Sequence, residues 1–183
     1  MNTREIMRAI GALNADSVGV YAANHVPRLL SVPAAIVTNL DTSDKPGSHW
    51  VAIYIDKNGY GNYFDSYGVG PVSRHHIDRL RRNCIRFQWN KRQVQSVDSQ
   101  VCGEHCIMFL YHMCSGISVR KYLRLFSSNF RKNDALAIKF YQRLLKKIKT
   151  KRLRHRRVNV FPRSHSTGHG FCNQICTSMT EYL

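Results

Sequence analysis

The sequence is short of acid. Eleven Asp and Glu face 28 Lys and Arg in 183 residues, giving a formal net charge of +17. That imbalance points to a polyanionic partner, nucleic acid ahead of an anionic membrane surface. Long apolar runs are missing as well. No stretch approaches the roughly 18 consecutive apolar residues of a membrane span, and the opening "MNTREIMRAIGALNADSVG" carries charges where a signal peptide has its apolar centre. A soluble, intracellular chain with no membrane partner is the expectation. In such a reducing setting the six cysteines read as thiols, not as a disulfide framework. No internal repeat is visible. The gaps from Cys102 to Cys106 and from Cys106 to Cys114 are not the short knuckle of a zinc finger. A hydrophobic content of 43% is enough for one sizeable core.

Apolar patterning implies an α+β domain, a mixed central sheet flanked by helices. Residues 4 to 13 have the spacing of a short amphipathic helix, and "AAIVTNL" (Ala34 to Leu40) that of an apolar strand. "HWVAIYID" and "GNYFDSYG" read as two strands joined by the hairpin signal "KNGYG". His49, Val51, Ile53 and Ile55 share one face of the first, and Trp50, Ala52 and Tyr54 the other, so that strand is buried on both sides. "SRHHIDRLRRN" reads as a helix, "IRFQWN" and "RQVQS" as short strands, and Cys102 to Cys114 as an apolar helix. A core over 1–134, followed by a basic helix and tail over 135–183, is the expected division.

Cys102 stands out because the turn-prone "SVDSQ" precedes it and Gly103 follows it. A thiol in the first turn of a helix meets unpaired backbone N–H groups and the positive end of the helix dipole, which favour thiolate. Cys106 and Cys114, deeper in the apolar helix, read as small core residues. A nucleophilic cysteine also needs a base, a group to orient that base, and donors for an oxyanion. His49 at the start of the buried strand supplies a candidate base. Asp65, at the end of the hairpin partner, is placed to hold its imidazole, and Gln95, seven residues before Cys102, to reach over the thiol.

In order and spacing, "GSHW", "YFDSYG" and "QSVDSQVCGEHCIMFL" resemble the adenovirus-type cysteine proteases (adenain) and their relatives in Maverick/Polinton elements and related DNA viruses. The likeness runs from the N-terminal helix to about Ser115. It implies an adenain-like fold and a His-Asp-Gln-Cys site: Cys102 as nucleophile, His49 as general base and then acid, Asp65 as orienting group, and Gln95 with the Cys102 N–H as oxyanion hole. Trp50 and Gly103 are implied to pack at the site. Asp65 stands where the adenovirus enzymes have Glu, and Val101 where SUMO-specific proteases usually have Asp. The resemblance further implies virion maturation by cleavage of capsid or core precursors, in the virion and host nucleus, by a monomeric enzyme that needs no cofactor for its chemistry. DNA and a capsid-derived peptide are implied as activators. Cys84, eleven residues before Gln95, falls where such a peptide forms a disulfide in adenain.

Beyond Asp134 no acid occurs until Glu181. Ala137, Tyr141, Leu144, Leu145 and Ile148 fall at helical spacing, which reads as a helix docked by its apolar side with a basic outer face. Lys146, Lys147, Lys149, Lys151, Arg152, Arg154, Arg156 and Arg157 are the candidate DNA-binding residues, through sequence-independent phosphate contacts. His165, His169, Cys172 and Cys176 have the right ligand types for zinc but no common finger spacing, so no metal site is assigned. A cellular SUMO or ubiquitin-like-modifier protease is the alternative enzyme. A basic nucleic-acid-binding protein whose site residues merely pack is the non-enzymatic one.

Overall fold

In the computed structural model the described residues are 1–29 and 31–158, with side chains described through Lys151. Five strands form one mixed sheet in the order β1 (Ser17–Tyr21), β2 (Ala34–Asn39), β3 (Trp50–Ile55), β4 (Tyr60–Phe64), β5 (Arg86–Trp89). The outer pairs β1–β2 and β4–β5 are parallel; β2–β3 and β3–β4 are antiparallel. The central place belongs to β3, the strand whose two faces are both apolar in sequence. Gly59, at φ +79, lets the β3–β4 hairpin turn where a side chain would be strained.

Each face of the sheet has its own cover. On one side lie α1 (Thr3–Ile10), α3 (Cys102–Cys114), the short α4 (Val119–Leu123) and α5 (Phe130–Val158). They pack Ile6, Ile107, Phe109, Tyr122, Ala137 and Leu144 against Ala35, Val37, Ala52 and Phe64. The rings of Phe64 and Phe109 stack at 4.6 Å, fixing α3 to the sheet. On the other side α2 (Arg74–Asn83) places Leu80 against Ala34, Ile36, Val51, Ile53 and Ile55. The fold class is thus α+β with helices on both faces of a mixed sheet.

The structure differs from the sequence reading in three places. "RQVQS" is not a strand: the N–H groups of Val94 and Gln95 both converge on the Ser66 carbonyl, at 2.8 and 3.1 Å, which a strand ladder does not allow. Strand β1 and helix α4 had no expectation attached. The boundary near residue 134 falls inside α5, a continuous helix that begins at Phe130 and buries Ala137 and Leu144 in the core. Its apolar side docks as expected, and Lys139, Arg143, Lys146, Lys147, Lys149 and Lys151 are exposed. No helix among the described residues is long and apolar enough to cross a membrane.

Candidate active site

The site forms where the start of β3, the turn after β4 and the N-terminus of α3 meet. Antiparallel pairing in the hairpin sets Ala52 opposite Phe64, so the residues just outside that pairing, His49 and Asp65, emerge at the same sheet end. His49 Nε2 lies 2.9 Å from Asp65 Oδ1, and both residues are buried. The Cys102 thiol is the imidazole's other neighbour, close enough to shift its titration. With Nε2 on the carboxylate, Nδ1 is the ring nitrogen left for the thiol. Cys102 is the first residue of α3, as the sequence suggests.

These contacts displace both titrations. Burial alone would lower the His49 pKa, but hydrogen bonds and charge from Asp65 and Cys102 outweigh it and raise the value to about 9. For Cys102 burial works upward, and the hydrogen bond from His49 together with the backbone N–H groups of Trp50 and Gly103 carries the thiol below its ordinary value. The two opposite shifts both favour a thiolate–imidazolium pair. Cys106 behaves differently: it is fully buried, burial drives its pKa well up, and its Sγ donates to the Trp50 carbonyl at 3.3 Å. The neighbouring cysteine is a core residue, as expected.

Several residues without a sequence expectation complete the geometry. Asn90, buried, accepts from the Asp65 N–H at 2.9 Å and donates to the Asp65 carbonyl at 2.6 Å, so the backbone that carries the carboxylate is clamped on both sides. Gly68, at φ +74, closes the turn from Asp65 and lies so near the Arg92–Gln93 backbone that a Cβ would come within 2.7 Å of Arg92 C. That turn puts Tyr67 under the imidazole: its N–H donates to Asp65 Oδ1 at 2.8 Å and its ring stacks on His49 at 4.9 Å. A Tyr two residues beyond the carboxylate was the available signal, hidden among ordinary turn residues.

Gln95 is fully buried beside this cluster. Its Oε1 accepts from Ser66 Oγ at 2.6 Å, while Nε2 donates to the Ser99 carbonyl at 2.9 Å and to the Tyr67 hydroxyl at 3.3 Å. The longer of these two donor bonds is the weaker, and it is the one a developing oxyanion could compete for. Trp50 anchors its indole N–H on the Met1 carbonyl at 3.1 Å, and Gly103 lets the Met1 side chain approach, since a Cβ there would meet Met1 Sδ at 2.9 Å.

The remaining expected residues lie elsewhere. Cys84 caps the end of α2 with its sulfur against Gly61, and burial raises its pKa to about 11. Little thiolate is present there at neutral pH, so the disulfide implied for Cys84 gains no support from the geometry. Arg152, Arg154, Arg156 and Arg157 belong to α5, but their side chains lie outside the described residues, as do His165, His169, Cys172 and Cys176 altogether.

No family model matches the chain. Over 92 residues, 45% of this chain, it is 34% identical to a protein of Acanthamoeba polyphaga mimivirus whose given name is that of a thiol protease. The chain spans 30% of that relative's length. Among solved structures, the ASFV protease aligns over 55% of this chain and 40% of its own at 22% identity with a TM-score of 0.43. ChlaDub1 of Chlamydia trachomatis aligns over 63% and 62% at 14% identity with a TM-score of 0.48. In sequence, then, part of the chain is similar to part of a viral thiol protease.

Proposed function

We propose that the chain is a cysteine endopeptidase, and the observation that carries this reading is His49, hydrogen-bonded to Asp65, set beside Cys102 at the N-terminus of α3. The Cys102 thiolate attacks the scissile carbonyl. Charge develops on the carbonyl oxygen, which the Cys102 N–H receives together with an amide N–H of Gln95 turned from Tyr67. The His49 imidazolium gives its proton to the leaving amine, and the neutral ring then draws a proton from water to hydrolyse the thioester. Asp65 holds the ring so that Nδ1 stays on sulfur throughout. No metal or organic cofactor enters these steps.

Capsid or core precursors of a DNA virus or virus-like element are the proposed substrates, cut in the virion or host nucleus. Partial identity to the mimivirus protein supports that setting. The exposed basic side of α5 supports stimulation by DNA through sequence-independent phosphate contacts, as an activator and not a chemical participant. The test is a thiol-directed probe at neutral pH followed by comparison of protein termini produced in infected cells by wild type and by Cys102→Ala. Labelling at Cys102 with lost cleavage of structural precursors is expected. An unlabelled Cys102 would return the site to mere packing, and cleavage of a ubiquitin-like modifier in place of precursors would move the enzyme to the other substrate class.

A further inference from the structure

Both neighbours of Gln95 are tied to one place, the second turn of α5. The Val94 carbonyl accepts from Asn133 Nδ2 at 3.1 Å, and the Ser96 N–H donates to Asp134 Oδ2 at 3.3 Å. Asp134 does not stop there: its other oxygen, Oδ1, lies 2.9 Å from His105 Nε2, three residues along α3 from Cys102. Asn133 is itself fixed, donating to the Ser127 carbonyl at 3.1 Å and accepting from the Ser127 N–H at 2.9 Å. These are interior contacts, with His105 at 0%, Asn133 at 2% and Asp134 at 6% exposure. A polar cluster so placed is costly to bury unless its bonds are made, and once made it admits one geometry.

Gln95 sits on a segment that belongs to no strand or helix, so its position relative to Cys102 is not set by secondary structure. Ser66 holds it from the sheet side through its carbonyl and hydroxyl. From the other side the Asn133–Asp134 pair grips the backbone immediately before and after it, while within the segment Gln93 Nε2 donates to the Gln95 carbonyl at 2.8 Å and Ser99 Oγ to the Ser96 carbonyl at 3.1 Å. Asp134 also grips the helix that carries the nucleophile, through His105. We infer that Asn133 and Asp134 are positioning residues for the oxyanion hole: they set the distance between the Gln95 amide and Cys102, and the first turns of α5 are therefore part of the catalytic apparatus. This rests on the cysteine-peptidase reading above.

Two reactions of Cys102 separate the positioning role from general stability. Alkylation by iodoacetamide needs the thiolate but forms no oxyanion: sulfur displaces iodide and a thioether results. Acylation by p-nitrophenyl acetate needs both: sulfur adds to the carbonyl, the oxyanion forms, p-nitrophenolate leaves and acetyl-Cys102 remains. Asp134→Asn in the full chain, with the Cys102→Ala background subtracted, should acylate more slowly by roughly tenfold to a hundredfold, with alkylation changed by less than about twofold. Combining it with Gln95→Ala should add little further loss, because both act on the same donor. Ile148→Ala, which loosens α5 far from the loop, should leave the ratio of the two rates as in wild type. Should Asp134→Asn fail to melt cooperatively, Asn133→Ser is judged by the same ratio. Equal loss of both reactions, or none, overturns the proposal while the peptidase reading stands. A wild-type Cys102 that does not alkylate at all overturns both.

Discussion

The ring of Tyr67 lies 4.9 Å from that of His49 at an interplanar angle of 25°. A π-face against an imidazolium favours the charged ring, so Tyr67 supports the same protonation state that Asp65 and Cys102 enforce by hydrogen bonding. Its hydroxyl also accepts from Gln95, which makes two separable contributions. Tyr67→Phe should retain the stack and leave Cys102 alkylation within about threefold of wild type, whereas Tyr67→Ala should slow it by about tenfold, the equivalent of 1–2 kcal/mol. Equal rates in the two variants would assign the stack no role.

The pair of opposite pKa shifts predicts a bell-shaped turnover. As pH rises from acid, activity should appear with ionisation of Cys102, which lies below the ordinary thiol value. It should fall as His49 loses its proton near pH 9, since the leaving amine then has no acid to take a proton from. His49→Ala removes the principal hydrogen bond to the thiolate, so the acid limb measured by iodoacetamide should move upward toward an unassisted thiol. An acid limb unmoved by that substitution would show that the helix terminus alone sets the Cys102 pKa.

Substitution of the site residues should rank them. Cys102→Ala is expected to abolish cleavage, and His49→Ala to lower kcat by several orders of magnitude. Gln95→Ala should cost about a hundredfold. Cys106→Ala should change the unfolding midpoint and not the chemistry, because that sulfur is buried on the Trp50 carbonyl. Retained turnover in Cys102→Ala with loss in Cys106→Ala would identify the other thiol as the nucleophile. Initial rates and urea melts on the same preparations decide it.

What could be seen in the sequence was what local physics encodes. Cys102 announces itself because turn residues precede it and an apolar helix follows. His49 and Asp65 become neighbours once "KNGYG" is recognised as a hairpin. Strand β1, "SVGVY", is five residues long and pairs in parallel with β2 across a long connection, so no local signal marks it. Asn90, Asn133 and Asp134 are polar residues whose meaning is entirely tertiary. In sequence Asp134 is conspicuous only as the last acid before a basic stretch, which invites a boundary there; in the fold it is bonded to His105 and Ser96 and joins what the boundary would separate.

The basic side of α5 predicts binding that depends on charge and not on base sequence. Affinity for duplex DNA should fall steeply with added salt, by counterion release, and should be alike for unrelated sequences of equal length. Replacing Lys146, Lys147, Lys149, Lys151 and Arg152 by Gln should remove most of the binding and flatten the salt slope by about one unit for each phosphate that is no longer neutralised. Fluorescence anisotropy across a salt series measures both. Unchanged affinity would place the binding surface elsewhere, with the arginines of α2 the next surface to neutralise.

Acid should weaken the fold through a residue remote from the chemistry. His76 on α2 is fully buried against the sheet, with Nε2 3.3 Å from Thr38 Oγ1, and burial lowers its pKa from 6.5 to about 4. Above pH 6.5 the ring is neutral in folded and unfolded chains alike, so it imposes no penalty. As pH falls below that value the unfolded chain takes up a proton that the folded one refuses, and stability is lost until the folded ring also protonates near pH 4. Between pH 7 and pH 5 this single site should remove about 2 kcal/mol. His112 is shifted in the same direction and adds to the trend. His76→Gln cannot titrate, so urea unfolding of that variant should show a shallower loss over the same interval even if it is less stable at pH 7. An identical pH slope in variant and wild type would mean that His76 is reached by water and protonates in place.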